Sequence, residues 1–450
     1  MSSETIRSVR PARTEDRARL WPPPEGWGVA LAGLIPLFAA HVFYGALVSD
    51  VALGLDVVAA LVLGALLLIP RTRAELGGLK GLAFPAVAFL ATIGVALWSL
   101  TPYVPGGPHP VWSYVGVSPG AAVVDKSSAA VEIIKLLGLG CIFLVGAAAG
   151  RTDVRARTTL NLILLFGALF GLWAFFGAVT GQMFQSQAGR LEARFLNPNT
   201  AATVFASLFI LAIGMIVRRL RASPESVVSV LPTCGAALIF ITCVLMSASR
   251  GALLALVGAL GAFVIAQVFT GRWRLSRAVV AALGALLILG LLLLLTGDLL
   301  LARLLEAGEG AIRRSYIWSL HWKAFLASPL FGYGLGGFEA VNKQLITVAN
   351  FPYLWNIRAA MSVYLQWLEQ AGLIGAAPMF LCVGAILAST LRGTLRRSRM
   401  TVPLFALLAV DVLFLLHGTT DFALETPSVS AFFAYLLGLQ FSLAQGSSAR

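Results

Sequence analysis

Residues 227–246 read VVSVLPTCGAALIFITCVLM, residues 247–250 read SASR, and residues 251–270 read GALLALVGALGAFVIAQVFT. Each apolar run has the roughly 20 residues that a helix needs to cross a bilayer. A very short polar turn joins them, so the pattern predicts a helical hairpin inside a membrane. The rest of the chain repeats it. Of 450 residues, 58% are apolar and 12% charged, and the mean hydropathy is +0.87. A soluble domain carries about 25% charged residues, so these side chains cannot assemble a water-facing surface. Soluble enzyme and disordered chain are both excluded. The runs are continuous instead of alternating, which argues against an outer-membrane barrel.

Working outward from the hairpin, earlier spans are predicted near 27–48, 51–70, 81–101, 128–149, 159–182 and 199–217. Later ones follow near 278–297, 372–391, 401–417 and 429–445. The fold class is therefore all-α: a polytopic helical membrane protein of about 12 transmembrane helices. One membrane domain, 27–445, lies between a 1–26 tail and a 446–450 tail, with a long loop, 298–358, between helices nine and ten. The net charge of +13 gains its meaning from placement. Of 33 lysines and arginines, 22 fall on alternate connections: the first tail, 71–80, 151–157, 218–221, 272–277, 392–399 and Arg450. By the positive-inside rule both termini are cytoplasmic, and no nucleic-acid partner is needed to explain the charge. The first 26 residues are too polar, and the first apolar run too long, for a signal peptide.

Candidate chemistry is concentrated on the opposite face. Residues 102–127 are rich in proline and glycine, which forbids regular helix. The long loop contains helical pieces around 299–307 and 312–327, and its aromatic content argues against disorder. Arg190, Arg194, Arg250, Arg303, Arg313, Arg314 and Arg358 all belong to this face. Planar guanidinium forks match phosphate oxygens two at a time, so such a cluster at membrane depth would hold a lipid diphosphate. For any one of them the plain alternative is loop solubility and headgroup contact. Arg250 is the exception, because its turn leaves little room to snorkel.

Other signals carry less. Cys141, Cys234, Cys243 and Cys382 lie in predicted spans, the four histidines lack ligand spacing, and neither a disulfide, a metal nor a cofactor is expected. Glu132 and Lys135 share one helix face and can neutralise each other, whereas Asp56 and Asp411 stay open as intramembrane charges. Gly332-Tyr-Gly334-Leu-Gly-Gly337 fits a dinucleotide fingerprint, yet no strand precedes it and no acid follows at the right distance, so a tight glycine turn is expected.

Several stretches together resemble the O-antigen ligase and polymerase family of bacterial inner membranes. Ser247-Ala-Ser-Arg250-Gly-Ala-Leu is similar to its serine-rich arginine motif. Arg314-Ser-Tyr-Ile-Trp318 with Ser328-Pro-Leu-Phe-Gly332-Tyr-Gly-Leu-Gly336 is similar to its long-loop signature. Ser362, Gly372 and Gly375 fall on the spacing of a motif that opens with histidine. Asn197-Pro-Asn199 and the run from His417 through Asp421 and Glu425 to Pro427 also look like family features. The resemblance covers roughly 185–445.

What it implies is a metal-independent glycosyltransferase. A glycan would leave a polyprenyl-diphosphate carrier at the periplasmic face of the inner membrane and join an acceptor sugar hydroxyl, in polymerisation or ligation of a surface polysaccharide. Partners would be the lipid-linked oligosaccharide, an acceptor glycan or lipid A core, the bilayer, and other polysaccharide-assembly membrane proteins. Arg250 and Arg314 would bind the diphosphate, with Arg313, Arg358, Arg190 and Arg194 as further candidates, alongside Ser362. Trp318, Trp355 and Tyr364 offer aromatic faces to sugar rings. The chain departs from the pattern at Met361, where the family has its histidine, since a thioether cannot act as general base. Glu339, Glu369, His321 and His417 are the candidate replacements. The alternatives are a non-catalytic transporter or flippase of lipid-linked glycans, and a catalytically impaired family member.

Overall fold

The computed structural model describes residues 26–181, 186, 189–222, 227–271 and 307–446. These residues form helices joined by turns, with no β-strand among them. In chain order the elements are α1 (Trp27–Val42), α2 (Ser49–Leu68), α3 (Pro70–Gly77), α4 (Ala83–Ser99), α5 (Val111–Tyr114), α6 (Lys126–Ala149), α7 (Asp153–Val179) and α8 (Pro198–Ala222). There follow α9 (Leu231–Met246), α10 (Arg250–Phe269), α11 (Ala307–Ala327), α12 (Phe338–Leu345), α13 (Phe351–Leu354), α14 (Val363–Arg396), α15 (Thr401–His417) and α16 (Pro427–Ala444). Among the described residues, eight helices are long and apolar enough to cross a membrane, and α1, α4 and α15 are shorter apolar helices. The protein is thus a multi-pass helical membrane protein. The 1–26 and 446–450 tails fall wholly or almost wholly outside the described residues, as do the predicted span at 278–297 and Arg303. So does all of the predicted helical piece at 299–307 except Ala307.

Local chemistry sets the helix starts. Asp125 accepts from the backbone of Ser127 and Ser128, Thr152 from Arg155, Ser249 from Ala252 and Ser362 from Leu365. Each satisfies backbone donors that a helix N-terminus leaves open. The Ser127 hydroxyl, which donates to Asp125 at 2.6 Å, and with it the Ser128 hydroxyl and the two backbone donors hold the Asp125 carboxyl below the usual carboxylate range. Small residues then set the packing. A Cβ at Gly146 would lie 2.2 Å from the Tyr435 carbonyl oxygen, and one at Gly150 2.1 Å from that of Leu439, so α6 and α16 cross with backbones in contact. The G-x-x-x-G spacing is the membrane solution to helix association. Between the helices, Asp411 on α15 accepts from Gln440 on α16 through both oxygens, at 3.0 and 2.9 Å; within α6, Lys135 pairs with Glu132 at 2.6 Å.

Two differences from the sequence reading concern α14. The predicted span at 372–391 is preceded, without a loop, by a helical stretch that begins at Val363, and the two meet at a break at Gly372. The helix is kinked at Gly372, with φ 59° and ψ −176°. The break is filled by the glycine turn at 328–337. Tyr333 N–H donates to the Glu369 carbonyl at 3.0 Å and Gly334 N–H to that of Gln370 at 2.8 Å. In return Leu373 and Ile374 N–H donate to Pro329 and Leu330, at 2.8 and 3.1 Å. Four backbone bonds thus clasp the long segment onto α14, and Gly332 and Gly334 supply the left-handed backbone the turn needs. A smaller correction concerns 102–127, where Val111–Tyr114 does form one helical turn.

A methyl group at Gly372 would sit 2.2 Å from the Leu330 carbonyl oxygen, in a conformation only glycine adopts readily. Gly372→Ala is expected to lower stability by about 2 kcal/mol or more, read as a fall in the thermal unfolding midpoint in detergent. Gly235→Ala, where nothing lies within 4 Å, serves as the control and should leave that midpoint in place or raise it.

Candidate functional site

The turns sort into two ends. At one, Arg155 meets Glu75 at 2.6 Å, Arg397 meets Asp153, and Lys80 N–H donates to Gln445 at 2.8 Å. This is the end whose connections are basic. The opposite end gathers residues that are far apart in sequence.

Its floor is the turn between α9 and α10. Ala248 takes a left-handed conformation (φ 48°), which lets Ser249 cap α10 and makes Arg250 the first residue of that helix. The 189–197 loop docks beside it through Leu191 N–H on the Met246 carbonyl at 3.0 Å, with Ala193, Arg194 and Leu196 also at positive φ. Clustered left-handed residues without glycine are costly and mark segments held by their surroundings. Arg190 does the holding: Nε donates to the Ser247 carbonyl at 2.8 Å and Nη2 to Asn199 Oδ1 at 2.9 Å. Asn199 Nδ2 passes the chain on to Asp421 Oδ2 at 2.8 Å. Burial pushes the Glu192 carboxyl above its ordinary range, and Arg190 beside it acts in the opposite sense.

One turn further along α8, Thr203 Oγ1 meets His417 Nδ1 at 2.8 Å. The other face of that imidazole lies against α10, for a Cβ at Gly251 would come within 3.2 Å of Nε2. The charges of Asp421 and Arg314 both act on His417. Val363 N–H on the Gly418 carbonyl, at 2.9 Å, ties the start of α14 to the same corner. Arg190, Arg250 and His417 therefore come to one corner from three separate stretches of sequence, and the Arg314 charge acts on it from a fourth.

The other candidates lie elsewhere or serve the frame. His321 Nδ1 and Glu369 Oε2 are 2.9 Å apart, both wholly buried, with the imidazole stacked 4.5 Å above Phe338. Neither ring nor carboxylate reaches a surface, so this pair bonds α11 to α14. Burial, and next the Glu369 charge, push the nearby Tyr333 hydroxyl up. Arg313 donates to Asn356 Oδ1 at 3.2 Å, Trp318 Nε1 to the Ala360 carbonyl at 3.0 Å and Tyr364 to the Leu415 carbonyl at 2.9 Å. Ser362 caps α14. Arg194 lies over the Tyr44 ring, 4.6 Å from its centroid. Glu339, Arg358 and Trp355 are exposed, Trp355 stacking on Phe351. Met361 has φ 53°, a conformation in which histidine is enriched, and its side chain packs on the small core of Ile317, Phe338 and Leu354.

Thr203 and the bridging roles of Asn199 and Asp421 escape a reading by motif alone. The available signal was a polar residue within the apolar run of α8, together with the two flanking motifs.

Fold and site together define a multi-pass membrane protein with an arginine-bearing end, onto which the 307–361 segment is fastened through α14. Residues 235–380 match the family model described as O-antigen ligase. The matched segment is about a third of the chain, from α9 through Arg250, α11 and Met361 into α14. It supports an O-antigen ligase or polymerase type of function in general terms. A search of curated proteins finds no match.

Removing the Asn199 bridge would take one hydrogen-bond partner from Arg190 and one from Asp421. Asn199→Ala is expected to cost about 1–3 kcal/mol. Amide hydrogen exchange across 189–197 should accelerate, while exchange in α6 stays unchanged.

Proposed function

We propose that the protein transfers a glycan from a polyprenyl-diphosphate carrier to an acceptor sugar hydroxyl, at the outer face of a bacterial inner membrane, in polymerisation or ligation of a surface polysaccharide. The basic end, by the same reading, faces the cytoplasm together with both termini. The observation that carries this is that Arg190, Arg250 and His417 converge at one end of a membrane bundle and the Arg314 charge acts on His417, with Arg250 and Arg314 both in the matched segment.

In this reading the acceptor oxygen attacks the anomeric carbon, and the bond from that carbon to the diphosphate oxygen breaks. The electron pair leaves with the lipid diphosphate. Arg250 and Arg314 stabilise the charge that develops there, which fixed cations do best in a site closed to bulk water. Arg190 shapes the turn that carries Arg250. The acceptor proton goes to His417, which shares this corner with the arginines. Glu369 and His321 are spent on each other, and Glu339 points to solvent. Met361 cannot take the proton, so His417 replaces the family's base from the other side of the Val363–Gly418 contact.

Purified protein given a diphosphate-linked oligosaccharide donor and a defined acceptor should lengthen the glycan. Arg250→Ala is expected to lower turnover about 10²- to 10³-fold, and His417→Gln about 10²-fold or more. Unchanged turnover in Arg250→Ala would remove the diphosphate assignment. Relocation of the lipid across a vesicle membrane, with no longer product, would favour a flippase.

A further inference from the structure

One exposed face of α11 changes character along its length. Ser315 and Ser319 stand seven residues before Trp322 and Leu326, so at ~3.6 residues per turn each pair shares one side of the helix. All four are exposed. The face therefore carries hydroxyl groups in the first half of the helix and apolar groups in its last turns, where Trp322 is 47% and Leu326 57% exposed. Leu330, just past the helix end, continues the row at 51%. Large apolar side chains left uncovered in a row mark a surface that meets a partner other than water.

Where the row leads identifies the partner. The Leu373 and Ile374 N–H groups donate to the Pro329 and Leu330 carbonyls, so the row ends against the kink of α14, where Leu373 and Ile374 are themselves exposed. That kink lies nine residues past Val363, about 13 Å along the helix at ~1.5 Å per residue. On the other flank, the Phe331 ring meets the Trp98 ring edge-on at 5.4 Å, and Trp98 stands exposed at the end of the apolar helix α4. The row is thus continuous with the outward surfaces of α4 and of α14, a helix long and apolar enough to span. Lipid fits each part of it. The order along α11, hydroxyl first and hydrocarbon last, repeats the order from water into a leaflet. Trp322 stands at the junction, the level that an indole prefers, and the exposed Lys323 beside it can lift its ammonium to the headgroups. A backbone turn at such depth is tolerated where its polar groups are satisfied, as the clasp at Gly372 does here.

We infer that the last turns of α11 and the 328–331 stretch are set into the bilayer leaflet at the arginine-bearing end, so that the 307–361 segment is moored in lipid as well as clasped to α14. The occupant of the row is the acyl layer of that leaflet. This holds whatever reaction the protein performs, because none of the row's side chains belongs to the corner of Arg250 and His417. It has a consequence for that corner all the same. Arg314 rides on α11 eight residues before Trp322, so the charge that acts on His417 is carried by a helix whose far end rests in lipid.

The contrast along one face gives the test. In a cysteine-free full-length chain, Ser315→Cys, Leu326→Cys and Leu330→Cys each carry an environment-sensitive fluorophore, and each protein is placed in phosphatidylcholine nanodiscs. Labels on Leu326→Cys and Leu330→Cys should be quenched several-fold more than the label on Ser315→Cys by a phosphatidylcholine with a nitroxide on its acyl chain. By aqueous iodide they should be quenched several-fold less. Thermal melting of each variant checks folding. Iodide quenching equal at Leu326→Cys and Ser315→Cys would overturn the inference. So would shielding of Leu326→Cys from both quenchers, which would put protein, such as a second copy of the chain, on the row in place of lipid. An unlabelled variant reads the same contact independently. In nanodiscs, Leu326→Asp should speed amide exchange across 322–331 about tenfold, equivalent to ~1.4 kcal/mol, whereas Ser319→Asp should match the parent protein. Exchange unchanged in Leu326→Asp would contradict the mooring.

Discussion

A helix that breaks among apolar neighbours strands backbone groups that water cannot reach, and such groups must be satisfied within the protein. The longest helix among the described residues breaks in that way at Gly372, where Ala371, Ala376 and Leu335 share one buried cluster. Everything above the break depends on how it is closed. The 328–337 turn supplies two donors and two acceptors, and the extramembrane segment is thereby fixed to a membrane helix by main chain alone. The buried His321 and Glu369 pair adds a second bond between the same partners one turn away. With α11 held in this manner, Arg314 comes within electrostatic reach of His417, although 103 positions separate them in sequence.

Charge obeys a parallel constraint. An ionised group within hydrocarbon is costly, so the chain keeps its arginines at the two ends and treats the ends differently. At the basic end, carboxylates of Glu75 and Asp153 pair with Arg155 and Arg397 and lace α3, α7 and α14 together. At the other end Arg190 works through the Ser247 carbonyl and the Asn199 amide, shaping a loop and a turn. Two of the acids within the bundle are likewise absorbed into structure, whereas Asp56 on α2 is buried with one oxygen that has no hydrogen-bond partner. Asp411 is held by Gln440, and Glu132 by Lys135, which weakens the case that either marks a transport path.

Much of this was legible in the sequence because a bilayer reduces folding to a simple pattern. Eleven of the predicted spans coincide with helices, since a run of about 20 apolar residues bounded by polar turns has few alternatives. The glycine turn was legible as a turn, for Gly332 and Gly334 lack the context of a nucleotide site. Its partner was not, because nothing local in the chain says that Gly372 will open a helix to receive it. The early start of α14 was written in Ser362, an N-cap, but the apolar stretch after Gly372 gave the stronger signal. The site was readable as a set of residue types and not as contacts. Arg250 stood out by its short turn, whereas Asn199 bridging to Asp421 and Thr203 facing His417 join positions more than 200 apart, which only the packing of α8 against α15 brings together.

The orientation of the arginine-bearing end decides the reading most directly. In a cysteine-free background, single cysteines at Val348, which is 97% exposed on the long segment, and at Arg71, exposed at the basic end, can be challenged in spheroplasts with a membrane-impermeant maleimide. Labelling of Val348→Cys in intact spheroplasts, and of Arg71→Cys only after lysis, is the predicted result. The opposite pattern would place Arg250 and Arg314 on the cytosolic side and contradict the account.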